Sequence, residues 1–306
     1  MRVGALRAAV AAASMAVAAT LAGCGDVNAG DAYAVELDAF LDTQDAVVAH
    51  QVDGANDLPY SGSATTSVTL DPALDTDGVV EATTAIVTHT TEREVDSNDL
   101  TVSIAADGAD DPAATTSFYL DLASPLPDTA ATRARITSLV EHAQSYVPAD
   151  PGLVSVMAEA DAVRVETTSD PLVTAPAVQA VVAAGVGRRK PDGTVLAPDL
   201  ELARGEERVA GAGGDDLAWL GGVRDVVEQA RRSPDYAGLW ARSSSSPGER
   251  PPMLGISLAT TASDESIAAL QELAPAGAVD VEVSRKPPPT TPRPSPSAAT
   301  DGSARP

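Results

Sequence analysis

The chain has a single cysteine, Cys24, among 306 residues. That excludes an intramolecular disulfide framework and any cysteine-based zinc site. Aromatic residues make up only 3%, so base-stacking platforms and aromatic carbohydrate clefts are poorly supplied. Basic residues are also scarce: 20 Lys and Arg face 44 Asp and Glu, for a net charge of −24. A nucleic-acid binder needs a cationic surface to displace counterions from phosphates, and a polybasic membrane contact needs one to meet anionic lipid. Neither fits. The three histidines, His50, His89 and His142, are far apart in the sequence, which excludes a local His-Glu-x-x-His motif. No Gly-x-Ser-x-Gly elbow frames a serine. No catalytic residue, cofactor site or metal site is therefore assigned. What is abundant is apolar: 44% of the chain is hydrophobic, enough for one or two packed cores.

The first 24 residues carry their own pattern. Arg2 and Arg7 precede an Ala/Val/Met/Leu run from Ala8 to Leu21, and no acidic residue occurs before Asp26. This is the layout of a secretory signal, too short and too alanine-rich for a permanent transmembrane helix. It ends in Leu21-Ala22-Gly23-Cys24. These four residues resemble the lipobox of bacterial lipoproteins. The resemblance implies diacylglyceryl transfer to the Cys24 thiol, cleavage after Gly23, and attachment of the mature chain to the extracytoplasmic face of the cell membrane. It covers the export segment alone. Two acyl chains, at about 0.8 kcal/mol per buried methylene, anchor a protein without help from basic residues. Loss of residues 1–23 with Arg2 and Arg7 takes the net charge from −24 to −26. Lysine occurs only at Lys190 and Lys286, a bias that points to a GC-rich genome such as an actinomycete's.

In the mature chain the apolar spacing predicts a helix over Val35 to Val48 and a loop over Asn56 to Gly62. Leu58-Pro59-Tyr60-Ser61-Gly62 superficially resembles a sortase signal, but a folded region follows it, so it reads as loop. Beyond it, alternating strands flank helices three times. Ser67–Leu70, a helix over Asp75 to Glu92 and Leu100–Ile104 form one unit. Ser117–Leu122, a helix over Asp128 to Val147 and Ala162–Glu166 form the second, and Leu254–Leu258, a helix over Asp264 to Leu273 and Val279–Val283 the third. Ile136, Leu139, Val140, Ala143 and Val147 make one helical stripe. Between the second and third units the pattern predicts helices at Pro176–Ala184 and Asp215–Arg232 and strands at Thr194–Leu202 and Tyr236–Arg242. Alternation implies one wet and one buried face per strand. The expectation is an α+β, two-layer fold of repeated strand-helix-strand, ferredoxin-like units, with helices on one face of antiparallel or mixed sheets. The expected parts are a signal peptide (1–23), a lipidated N-terminus with helix and linker (24–62), a first lobe (63–169), a second lobe (170–285) and a disordered Pro/Thr/Ser-rich tail (286–306). Thr290, Thr291, Ser295 and Ser297 in that tail sit beside prolines, as O-glycosylation sites do.

Several local patterns imitate functional motifs and read better as structure. Asp75-Thr76-Asp77-Gly78 lacks the outer acids of a calcium loop and reads as a helix start, as do Asp128 and Asp264. Asp107, Asp110 and Asp111 read as a solvated turn. Gly211-Ala212-Gly213-Gly214 lacks the Gly-Lys-Ser/Thr of a phosphate loop and is followed by Asp215 and Asp216. Gly187-Arg188-Arg189-Lys190 reads as a solvated hairpin loop, and Trp219 and Trp240 as packing residues. The functional expectation is a non-catalytic binding or scaffold module in the cell envelope, partnered by the membrane through Cys24 and by an envelope protein. The alternative is a carrier holding a small molecule or lipid between two lobes.

Overall fold

The computed structural model describes residues 29–57, 61–91, 97–122, 129–159, 161–185, 188–189, 195–196, 198–212, 217–243, 251–274 and 279–285. The signal segment, Cys24, and the tail from Lys286 lie outside the described residues.

Eleven strands form one mixed sheet in which spatial order follows chain order without exception. Helix α1 (Ala29–Leu41) leads into β1 (Val47–Asp57) and β2 (Ser61–Leu70), which pair antiparallel. Helix α2 (Thr76–Thr91) crosses to β3 (Ser97–Ala105), parallel to β2. β3 turns back antiparallel into β4 (Thr115–Asp121), and α3 (Thr129–Gln144) with the short α4 (Tyr146–Ala149) crosses to β5 (Leu153–Ala158), parallel to β4. The cycle repeats through β6 (Ala162–Thr167), α5 (Pro171–Ala184) and β9 (Asp199–Arg204), with a small hairpin of β7 (Arg188–Arg189) and β8 (Val195–Leu196) set apart. β10 (Glu207–Gly211), a 3-10 helix (Ala218–Val223) running into α6 (Arg224–Arg231), and β11 (Tyr236–Arg242) follow. β12 (Met253–Leu258), α7 (Asp264–Glu272) and β13 (Asp280–Arg285) complete the sheet. Each hairpin is antiparallel and every helical crossover after α1 joins two adjacent parallel strands, so the architecture is a mixed α+β sheet with packed helices. A ferredoxin-like unit is split, with a strand inserted between its parallel partners; here none is inserted.

The helices line one face, each touching the next from α1 to α5 and, through the 3-10 helix, on to α6 and α7. Strand parity explains this. In β3 Leu100, Val102 and Ile104 are buried while Thr101 and Ser103 face out, and β6, β9 and β10 alternate likewise. The stripe expected in α3 is the buried one: Ile136, Leu139, Val140 and Ala143. Buried side chains form two clusters, one from Tyr33 to Ala143 and one reaching from Ala106 to Val283. The pairing of β6 with β9 carries the sheet across Ser169–Pro171.

Four local expectations are corrected. The first helix is Ala29–Leu41, and Val47 and Val48 begin β1, while Asn56 and Gly62 pair within the first hairpin. A close backbone contact seats this helix: a Cβ on Gly54 would lie 2.5 Å from the Gly30 carbonyl oxygen. β5 and β10 are additional strands. The expected helix over 215–232 is a 3-10 segment containing Gly221 and Gly222 followed by eight α-helical residues, consistent with the low helix propensity of glycine.

Candidate functional site

Two clusters of charged side chains stand out, one on each side of the second half of the sheet. The first gathers at one strand end. Asp170 caps α5 by accepting from the Leu172 amide at 3.0 Å, and it also takes two hydrogen bonds from Arg231 at the end of α6, at 2.6 and 2.9 Å. Glu207, at the start of β10, takes two more from Arg231 at 2.8 Å each, one from Tyr236 at 2.6 Å and one from Arg204 at 2.5 Å. Gly205 (φ +57°) opens the two-residue β9–β10 turn that brings Arg204 opposite Glu207. The Arg231 guanidinium holds the Asp170 carboxyl below its usual range. At Glu207 burial pushes upward, but the hydrogen bonds from Arg231 and Tyr236 and the Arg231 charge outweigh it and the net shift is downward. Arg231 in turn is raised, chiefly by its bonds to Asp170, and Tyr236 is raised by burial and then by Glu207. Both carboxylates stay ionised with their oxygens engaged, so the cluster is built as a clasp between elements and not as an acid–base pair.

The second cluster lies on the face that, among the described residues, no helix covers. Here the cross-strand registers set two rows. Arg164, Glu201, Ala210, Arg242, Met253 and Asp280 stand opposite one another along one, and Glu166, Ala203, Arg208, Trp240, Gly255 and Glu282 along the next. Ala162, Ala210 and Ala212 are small, and the result is a trough of about 430 Å³ lined also by Arg164, Glu201, Arg208, Trp240 and Arg242. Glu201 lies between two arginines, 2.5 Å from Arg208 and 3.8 Å from Arg164, and Arg164 is also 2.7 Å from Glu159. Arg242 is exposed and makes no ion pair among the described residues. The Trp240 indole packs directly against Gly255: a Cβ there would fall 2.0 Å from the indole Nε1. Met157 (52% exposed) and Met253 (36%) are among the few exposed large apolar residues, and both stand on strands of this half of the sheet. Trp, Met and Arg are the residue types enriched where proteins bind partners.

The other sequence candidates are dispersed. His50 lies on β1 and not on a helix, half-covered and 3.1 Å from Asp38, where the alternation of β1 turns it toward α1. His89 stacks on Phe40 at 3.8 Å, and His142, whose pKa burial lowers, lies beside Tyr146. Asp75 does cap α2, accepting from the Gly78 amide at 2.8 Å. At α7 the cap is Ser263 and Asp264 is the first helical residue; Asp128 lies outside the described residues. Asp111 accepts from the Ala113 amide in its turn. No group of three or more His, Cys, Asp or Glu side chains is arranged for a metal among the described residues. Gly211 and Ala212 border the trough, whereas Gly213, Gly214, Asp215 and Asp216 lie outside the described residues, as do Gly187 and Lys190 beside the β7–β8 hairpin. Trp219 packs on the second core, whereas Trp240 is a trough wall. Sequence reading missed the trough because its walls come from four strands, β6, β9, β10 and β11, each contributing two outward positions.

The fold and site thus define a two-layer α+β protein with one sheet face uncovered among the described residues and a charged, tryptophan-walled trough on it. No family model matches the chain, and searches of curated proteins and of solved structures return no match. Among the described residues no helix is long and apolar enough to cross a membrane.

Proposed function

We propose that the chain is an extracytoplasmic lipoprotein, held at the cell membrane by acyl chains on Cys24, whose body is a non-catalytic binding or scaffold module of the cell envelope. The observation that carries the binding reading is the uncovered sheet face with its trough of Trp240 and three arginines. A sheet face with an aromatic and arginine centre and acidic residues around it has the make-up of a docking surface. The anchoring half of the reading rests on Leu21-Ala22-Gly23-Cys24. Repetition of hairpin and helix supports reading the body as tandem strand-helix-strand copies, a variation on the ferredoxin-like theme in which no strand is inserted. A carrier cleft between two lobes has less behind it, because the trough lies wholly between β6 and β11. Metabolic labelling with a palmitate analogue tests the anchor: label should enter the native chain and be absent from Cys24→Ser. Equal labelling of both overturns it.

A further inference from the structure

We propose that the trough is a subsite for an acidic sugar, a hexuronate ring presented as a free monosaccharide or as one residue of a polymer; this rests on reading the uncovered face as the binding surface. Three features of the trough select that chemistry together. The first is a fixed platform. Gly255 lets the Trp240 indole lie against β12, since a Cβ there would come within 2.0 Å of it. With one side of the ring against backbone and Trp240 lining the trough, a flat ring gains dispersion contact at small entropic cost.

The second feature is one unmatched cation. Arg208 is held by Glu201 and Arg164 by Glu159. Arg242, two residues beyond Trp240 on the same strand face, has no ion-pair partner among the described residues. A guanidinium in that state takes a carboxylate in bidentate geometry. The third feature is acceptors. Glu201 and Asp199 also line the trough, and their oxygens accept from hydroxyl groups. A uronate ring supplies a face for Trp240, a carboxylate for Arg242 and hydroxyls for the acids. A neutral sugar lacks the carboxylate, and an aromatic acid lacks the hydroxyls. The volume, about 430 Å³, lies within the range of small-ligand pockets. The body's negative charge opposes any anion at long range, but at roughly physiological salt the Debye length of about 8 Å leaves the local charges in control.

The test is calorimetric and fluorescence titration of the purified full chain at neutral pH and physiological salt. The probes are sodium D-glucuronate and tetragalacturonate, with D-glucose and sodium benzoate as controls. Both uronates should bind and alter tryptophan emission, with no such change in Trp240→Phe. Glucose and benzoate should bind at least about tenfold more weakly. Tighter binding of the tetramer marks a polymer as the source, and equal binding per ring marks the monosaccharide. Arg242→Gln, at an exposed position, should weaken uronate binding about tenfold or more, and Gly255→Ala should abolish the emission change by displacing the indole. Absence of uronate binding, equal affinity for glucose or benzoate, or unchanged uronate affinity in Arg242→Gln overturns the proposal. Palmitate labelling reads the anchor separately, and capture of an envelope protein by a face that ignores uronates would leave the binding module standing and this ligand refuted.

Discussion

Arg231 and Asp170, 61 residues apart in the chain, meet through two hydrogen bonds of 2.6 and 2.9 Å, and the same carboxylate caps helix α5. One side chain thus starts a helix and fastens that start to the last turn of α6. The remaining Arg231 donors reach Glu207, which also receives Tyr236 and Arg204. The β6–α5 turn, the β9–β10 hairpin, α6 and β11 are held at one point.

Removing the Arg231 cation from such a point leaves Asp170 without its ion-pair partner and Glu207 with Arg204 and Tyr236 alone. Glu207 has a side chain only 8% exposed, and removing one partner of a buried ion pair costs about 3–5 kcal/mol. Arg231→Met should lower unfolding stability by about that amount in urea denaturation, with an unchanged dependence on denaturant concentration. Adding Asp170→Asn and Glu207→Gln to Arg231→Met should recover part of the loss, because neither carboxylate is then left charged, and the Arg204 guanidinium released by Glu207→Gln is one-third exposed to water. A loss below about 1 kcal/mol in the single variant would show that the clasp contributes little.

The same clasp sets an acid limb. Both carboxyls have folded pKa values below their unfolded values of about 4. Their stabilisation is therefore fully present above about pH 5 and is lost as pH falls through the folded values. Unfolding free energy measured across this range should be flat down to about pH 5 and then fall. In the triple variant the fall should be shallower, since two fewer groups take up extra protons on unfolding. Parallel limbs in the two proteins would refute the assignment.

Glu207 also shows why part of this fold was hidden in the sequence. β10 reads Glu-Arg-Val-Ala-Gly, with an acid at a position facing the helices, so alternation fails where it is needed. The compensating Arg231 lies 24 residues away, and nothing local announces it. β5 follows Pro148 and Pro151 and mixes Val154, Ser155 and Met157 outside the buried parity, which blurs the period-two signal. Where one apolar stripe meets a helix-spanning surface, as in α3, or a carboxylate caps a first turn, as at Asp75, the reading holds. The trough was illegible for a different reason: Arg164, Glu201, Arg208 and Trp240 look like ordinary outward residues until register sets them side by side.

Helix α1 is seated by close backbone approach and by one buried polar pair. Gly30 donates to Asn56 at 2.9 Å, and the Tyr33 hydroxyl accepts from Asn98 at 2.5 Å. A Cβ at Gly54, directed at the Gly30 carbonyl, should displace the helix at a cost of about 1–3 kcal/mol. Burial raises the Tyr33 pKa to about 12, so docking is stabilised below pH 10 and that contribution is lost as pH climbs through the folded value. Gly54→Val should bring one tyrosine back toward a pKa of about 10 in ultraviolet titration and speed proteolysis within α1. An unchanged tyrosine titration would mean the helix tolerates the added side chain.

The seat of α1 also decides how a lipid on Cys24 would orient the body. Gly30 lies six positions after Cys24, and at no more than about 3.6 Å per step the two are at most roughly 22 Å apart. Gly30 is fixed beside Asn56 at the end of the first hairpin, so an acylated Cys24 would hold that corner of the sheet near the bilayer. β13 lies at the opposite edge, ten strand spacings away, or roughly 48 Å at about 4.8 Å each. A fluorophore placed by Ala55→Cys in reconstituted, acylated protein should therefore be quenched by quencher-bearing lipids, and one at Asp280→Cys should be quenched much less. Because the trough lies between β6 and β11, a label at Ala203→Cys should fall between the two. Equal quenching at all three positions would mean that the sheet lies flat on the membrane, with its uncovered face unavailable to partners across the envelope.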